Sequence, residues 1–251
     1  MFDGIGVGRL ALQDAGLKCA RYLASEVDTH ASHVAARNFP DIVHLGCVKS
    51  LNWVDVVPVD LLMGGPPCQE LSNARVGLGL EGPKSRLLMR YVEFKNLLKP
   101  KYFLMENVVP RKREWRDTID RALGVVGVSI NSDLFVPQNR ERVYWTNIPI
   151  PALPPRPSWD RPTCRYRNID GFRWMKSGVS ACLTARMGTG GGNIPLKSEN
   201  RGDALTPEEC EALQGLPEGY TSGTPKTQRY KMIGNSWTAP VVSHILTGIR
   251  S

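Results

Sequence analysis

Pro66-Pro67-Cys68-Gln69 holds one thiol at the tip of a stiff turn. The turn follows the apolar run Leu61-Leu62-Met63 and the pair Gly64-Gly65, so it leaves the end of an expected strand. A cysteine that merely packs belongs inside such a run, where it behaves as a small hydrophobe. At a strand end, where open α/β folds carry out chemistry, the thiol is a candidate nucleophile if its surroundings favour the thiolate.

A second candidate site lies at the start of the chain. Phe2-Asp3-Gly4-Ile5-Gly6-Val7-Gly8 is a glycine-rich turn running into an expected helix over 9–15. Glycines allow close backbone approach to a ligand, and a helix N-terminus offers free N–H donors. About 20 residues on, Glu26 ends an apolar run, where an acid can bind both hydroxyls of a ribose. The competing reading makes Glu26 a cap for the segment that follows. Val27, beside it, is placed to cover one face of an adenine ring.

The elements that position these residues follow from periodicity. Strands are expected over 18–25, 42–45, 59–63, 102–105, 125–130 and 143–146, with helices over 32–38, 87–98 and 114–123. That alternation predicts a doubly wound, mostly parallel, Rossmann-like α/β sheet. Prolines at 149, 151, 154, 155 and 157 interrupt it, and no clean periodicity follows until about Arg201. Gly188-Thr189-Gly190-Gly191-Gly192 reads as a loop. Thr206-Pro207-Glu208-Glu209 reads as a helix start, and a last helix is expected over 240–249. The division expected is a core over 1–148, a small irregular region over 149–201, and a return to the core over 202–251.

Composition narrows the partners. The 251 residues carry a net charge of +8 and a pI near 9.3, a balance that suits a polyanion. Arg156, Arg161, Arg165, Arg167, Arg173, Lys176 and Arg186 fall in the irregular region, interleaved with Trp159, Tyr166, Phe172 and Trp174. The six cysteines are scattered, with no CxxC pair and no histidines at zinc spacing, so reduced thiols and no metal are expected. Neither a membrane span nor a secretory signal is legible.

Four further blocks share the order of these two: Met105-Glu106-Asn107-Val108, Gln138-Asn139-Arg140-Glu141-Arg142, Leu205-Thr206-Pro207-Glu208-Glu209-Cys210 with Leu213-Gln214-Gly215-Leu216-Pro217, and Gly234-Asn235-Ser236-Trp237 with Pro240-Val241. Together the six blocks resemble the DNA (cytosine-5)-methyltransferases over nearly the whole chain. The Ser25-Glu26-Val27 block, the Asn-Ser-Trp near the end and the short irregular region are closest in character to the catalytic domain of the animal de novo enzymes. With no reader domain in view, a stand-alone bacterial or phage enzyme of the restriction–modification type is the expected source. It would work in the cytoplasm or at the nucleoid (in the nucleus if eukaryotic).

The resemblance implies methyl transfer from S-adenosylmethionine to carbon-5 of cytosine in double-stranded DNA, leaving S-adenosylhomocysteine. Cytosine carbon-5 is a poor nucleophile; addition of the Cys68 thiolate at carbon-6 makes the ring an enamine and carbon-5 reactive. Glu106 would contact ring nitrogen 3 and the exocyclic amine, carrying or sharing a proton. Asn107 would brace the Pro-Pro-Cys turn, Arg142 would hold the cytosine carbonyl, and Arg140 would support Glu106 or a phosphate. Phe2, Asp3, Gly4 and Ile5 would meet the cofactor with Glu26 and Val27 on its ribose and adenine. Val48, Pro67 and Leu87 would line the pocket; Asn235, Ser236 and Trp237 would close the carboxylate end. The base must be flipped out of the stack, and the region over 149–201 would recognise the target, with Arg186, Thr184 and Gln138 as DNA-contacting candidates.

Two departures stand out. Gly46-Cys47-Val48 has cysteine where the family usually has an aspartate for the adenine amine, and Met1 leaves almost no strand before the glycine turn, so a natural start is expected upstream. Bland readings compete at several positions: a solvated charged turn at Arg140-Glu141-Arg142, core filler at Trp237, and a plain surface loop at Arg186. Rival functions are a tRNA cytosine-5 methyltransferase, a catalytically silent DNA-binding homologue, and an NAD-type dehydrogenase, which would leave the Pro-Pro-Cys-Gln turn unexplained.

Overall fold

The computed structural model describes residues 1–52, 54, 56, 58–67, 85–159, 165–168, 171–174, 178–189, 194–195 and 204–250. Cys68 and Gln69 lie outside the described residues. Strand β1 (Tyr22–Ala24) and strand β2 (Ile42–His44) pair in parallel around helix α2 (Thr29–Asn38). Strand β3 (Leu61–Gly64) pairs in parallel with strand β4 (Tyr102–Val108), with helix α3 (Ser85–Leu98) between them in sequence. After helix α4 (Arg113–Leu123), strand β5 (Val128–Asn131) takes the outer edge. Strand β6 (Glu141–Thr146) fits antiparallel between β4 and β5, giving the order β3-β4-β6-β5.

The α/β architecture is therefore as expected, with parallel pairs at β1–β2 and β3–β4 and an antiparallel return at β6. The boundaries follow local chemistry. Asp28 caps α2 by accepting from the amides of His30 and Ala31. Gly124, with φ 74°, ends α4 in the left-handed conformation that a glycine adopts at no steric cost.

The two parallel pairs are joined by the first residues of the chain. The Met1 amine donates to the Met63 carbonyl of β3 at 2.7 Å, and the Asp3 amide donates to Ser25 just past β1 at 3.1 Å. The chain then enters helix α1 (Val7–Asp14). Helix α7 (Ala239–Leu246) buries Val241, Val242, Ile245 and Leu246 in the same cluster as Val7, Leu10 and Ala11 of α1. A second cluster fills the other side of the sheet, with Tyr91 and Phe94 of α3, Met105 of β4 and Trp145 of β6.

The region over 149–201 holds, among its described residues, both regular structure and core contacts. It contains an antiparallel hairpin of strands β7 (Arg165–Asn168) and β8 (Gly171–Trp174), for which the sequence showed no clean periodicity. Its later part packs into the C-terminal helices. Leu183 and Met187 share a fully buried cluster with Leu205, with Cys210 and Leu213 of helix α5 (Pro207–Leu213), and with Tyr230 and Ile233 of helix α6 (Lys226–Asn235). Helix α5 opens on a complete capping box between Thr206 and Glu209.

Candidate active site

Glu106 and Asn107 stand at the C-terminal end of β4, beside the turn that leaves β3. The Asn107 side-chain amide donates to the Pro66 carbonyl at 3.1 Å, and both groups are buried. The brace expected of Asn107 is therefore formed, on the residue two places before Cys68. Glu106 is 8% exposed. Its carboxyl pairs with Arg142 of β6, with Nε 3.1 Å from Oε1. A charged turn in solvent would not look like this: the Arg142 side chain keeps 15% of its surface and is aimed across the strand ladder.

Arg142 has two further partners. Its Nη1 donates to the Glu141 carbonyl, and its Nη2 lies 3.6 Å from the Cys182 sulfur. Burial opposes its charge, but Cys182 and Glu106 beside it outweigh that and raise its pKa further. The same sulfur is 3.5 Å from Nη1 of Arg140. Cys182 joins both arginines of the motif, and sequence reading missed it. The only sequence signal is its position next to Leu183-Thr184-Ala185-Arg186.

Arg140 and Gln138 correct two expectations. Arg140 is 4% exposed and donates to the carbonyls of Leu183, Gly234 and Ser236. It staples these backbone segments together, and Glu106 pairs instead with Arg142. Gln138 has no exposed surface. Its amide donates to the Leu213 carbonyl and the Gln214 side chain, and its carbonyl accepts from the Leu183 amide. A glutamine satisfied at both ends in the core does not read DNA. It locks the segment bearing Thr184 and Arg186 to α5, and those two side chains do reach solvent.

At the other end of the site the glycine turn is held by Glu26. The carboxyl accepts from the amides of Gly4, Val27 and Asp28 at 2.7–2.8 Å. Glu26 organises the turn but does not cap helix α2, whose cap is Asp28. Val27 is 69% exposed beside it, an apolar side chain left uncovered. Phe2 holds φ 56°, uncommon outside glycine. The Tyr22 hydroxyl donates to Asp3, while Asp3 Oδ2 is buried without a hydrogen-bond partner among the described residues. Burial raises the Asp3 pKa against the pull of that hydrogen bond.

The remaining candidates divide. Ile5 and Val48 are buried, and the Ile5 carbonyl accepts from Tyr220. Pro67 and Leu87 are half-buried and Asn235 is exposed. The Ser236 hydroxyl donates to the Ile233 carbonyl and so faces inward. Trp237 belongs between the two turns. A Cβ added to Gly65 would stand 2.6 Å from its indole nitrogen, and one on Gly8 would stand 3.5 Å from its ring. Cys47 is half-buried with its carbonyl engaged by Ser50. Among the described residues no group of three or more His, Cys, Asp or Glu is placed to hold a metal ion, and no helix is long and apolar enough to cross a membrane.

Known proteins give this arrangement its context. The chain is 28% identical to the type II methyltransferase M1.ScrFI of Lactococcus lactis subsp. cremoris, over 98% of this chain and 75% of that protein. It is likewise 28% identical to the type II methyltransferase M.Bsp6I of Bacillus sp. (strain RFL6), over 99% of this chain and 96% of that protein. The solved structure of the Entamoeba histolytica methyltransferase EhMeth superposes with a TM-score of 0.72 at 16% identity, covering 99% of this chain and 95% of the other, a likeness of fold. The family model for C-5 cytosine-specific DNA methylase matches residues 1–149 and 161–251. With that match over nearly its whole length, the chain belongs to the C-5 cytosine-specific DNA methylases.

Proposed function

We propose that this DNA cytosine-5 methyltransferase acts on double-stranded DNA through a covalent adduct of Cys68 with a flipped-out cytosine. The observation that carries the reading is the joint placement of the Asn107–Pro66 brace and the Glu106–Arg142 pair at one end of the sheet. The brace fixes the turn that leads to Cys68. The pair offers a carboxyl and a guanidinium, which match the nitrogen-3 and amine edge and the carbonyl oxygen of a cytosine. A base inside a stacked duplex cannot reach such a recess, so it must leave the stack.

The Cys68 sulfur bonds to carbon-6, and the ring double bond delivers its electrons to carbon-5. Once the methyl group is on carbon-5, loss of the proton there expels the sulfur. Arg142 and Glu106 stabilise the charge that enters the ring. The family's methyl donor, S-adenosylmethionine, supplies an electrophilic methyl group. The orphaned Asp3 oxygen, the half-buried Glu26 carboxyl and the uncovered Val27 fit a ligand with an amine, a ribose and a flat ring. Phe2, Gly4 and Ile5 line its approach, Val48, Pro67 and Leu87 its walls, and Asn235 and Trp237 its far end. The segment over 149–201, with Arg186 and Thr184, contacts the DNA.

A plasmid expressed with the protein in a methylation-free host, then bisulfite-sequenced, tests the activity. Methylated cytosines in a defined context are expected. Unmodified cytosines throughout, with folded protein confirmed and tRNA methylated instead, overturn the choice of substrate. A 5-fluorocytosine duplex with methyl donor is expected to cross-link at Cys68; absence of the cross-link overturns the covalent step.

A further inference from the structure

We propose that Cys182 is a positioning residue for methyl transfer: its sulfur holds the Arg142 guanidinium against Glu106. This rests on the placement of Glu106 and Arg142 in the base recess. Arg142 is held at three nitrogens by three acceptors: Nε on Glu106 at 3.1 Å, Nη1 on the Glu141 carbonyl at 2.8 Å, and Nη2 on the Cys182 sulfur at 3.6 Å. The Glu141 carbonyl belongs to the neighbouring residue of the same strand and moves with Arg142. Among the described residues, Glu106 and Cys182 are the partners that fix the guanidinium relative to the rest of the site.

The sulfur is itself well anchored. The next residue, Leu183, has no exposed surface, and its amide is bound by Gln138. Arg140, on the other side of the sulfur, is pinned by three backbone carbonyls. The sulfur therefore sits between one immobilised guanidinium and one that serves the reaction. The charged groups facing it are Arg140 and Arg142 from the β6 side, with Glu106 of β4 behind Arg142; the thiol itself donates to the Leu183 carbonyl at 3.4 Å. Burial pushes the thiol's pKa up, but the two arginine charges and their hydrogen bonds outweigh it and hold the thiol below its ordinary range. Two guanidinium nitrogens converge on the sulfur, which accepts from both. Without it, Nη2 loses its rear support and the arginine gains rotamers that leave Glu106.

The test is single-turnover methylation of a duplex by the full chain carrying Cys182→Ala or Cys182→Ser, beside Glu106→Gln. Cys182→Ala is expected to lower the rate about tenfold with DNA affinity within about twofold, and Cys182→Ser, which keeps an acceptor, to recover most of it. A rate unchanged in Cys182→Ala, or equal losses in Ala and Ser, overturns the proposal. If Cys182→Ala does not fold, the Ser variant still decides: a soluble Cys182→Ser as impaired as Glu106→Gln overturns it. Full activity in Glu106→Gln would instead remove the base recess itself, a failure distinct from that of Cys182.

Discussion

Asn107 reaches from the end of β4 to the Pro66 carbonyl, 3.1 Å away, and ties the turn leaving β3 to the neighbouring strand. The tie anchors Pro66, the residue two places before Cys68, to the strand beside it. Asn107→Ala leaves a buried carbonyl unpaired. We expect a stability loss of about 1–2 kcal/mol, read by urea denaturation, and a turnover loss of about 10- to 100-fold with DNA affinity kept. Unchanged turnover would show that the turn orders itself.

The Glu106–Arg142 pair predicts a second outcome. Glu106→Gln keeps the shape but loses the charge, and a loss of about 10²-fold or more in the chemical step is expected. Because the two groups touch, the Glu106→Gln/Arg142→Gln double variant should lose much less than the product of the single losses. Additive losses in that cycle, measured by single-turnover kinetics, would mean the residues act separately.

Acid stability should carry the mark of Asp28. Burial alone would raise its pKa, but Lys231 and the amides of Ala31 and His30 outweigh that and leave it below the ordinary carboxylate value. A depressed folded-state pKa contributes stability that is complete above the unfolded value and disappears as pH falls through the folded one. Asp28→Ala should therefore cost about 0.5–2 kcal/mol at neutral pH, as for the loss of an N-cap. The gap between variant and parent should narrow as pH falls through the depressed folded-state value. A constant gap down to pH 2 would contradict this.

Gly234 predicts a packing outcome. A Cβ there would lie 2.1 Å from the Thr184 carbonyl carbon and 2.6 Å from the Ala185 amide nitrogen. Backbone cannot yield as a side-chain tip does, so Gly234→Ala is expected to cost about 1–3 kcal/mol. The loss should concentrate in faster hydrogen exchange over 183–187. Exchange unchanged there, with stability intact, would show that the crossing is looser than drawn.

Strand β4 and helix α3 were legible because their sequences carry an apolar run over 102–105, within Tyr102–Val108, and an amphipathic stripe in Ser85–Leu98. Helix α6 was not: its buried positions, Tyr230 followed by Met232, Ile233 and Gly234, form no regular stripe in a polar stretch. Glu106, Asn107 and Arg142 were found through the family motifs, and their contacts join residues about 40 apart. Gln138 was misplaced because a polar residue in a motif suggests a polar partner outside; its partners are the chain's own backbone. Cys182 had no local pattern, since its role comes only from folding residue 182 onto residues 140 and 142.

The indole of Trp237, lodged between Gly8 and Gly65, makes the molecule its own optical sensor. One fluorophore borders both the start of α1 behind the glycine turn and the turn that leaves β3. Methyl-donor binding and target engagement should therefore each alter its emission, and a signal present in the parent and lost in Trp237→Phe would isolate it from the chain's other five tryptophans.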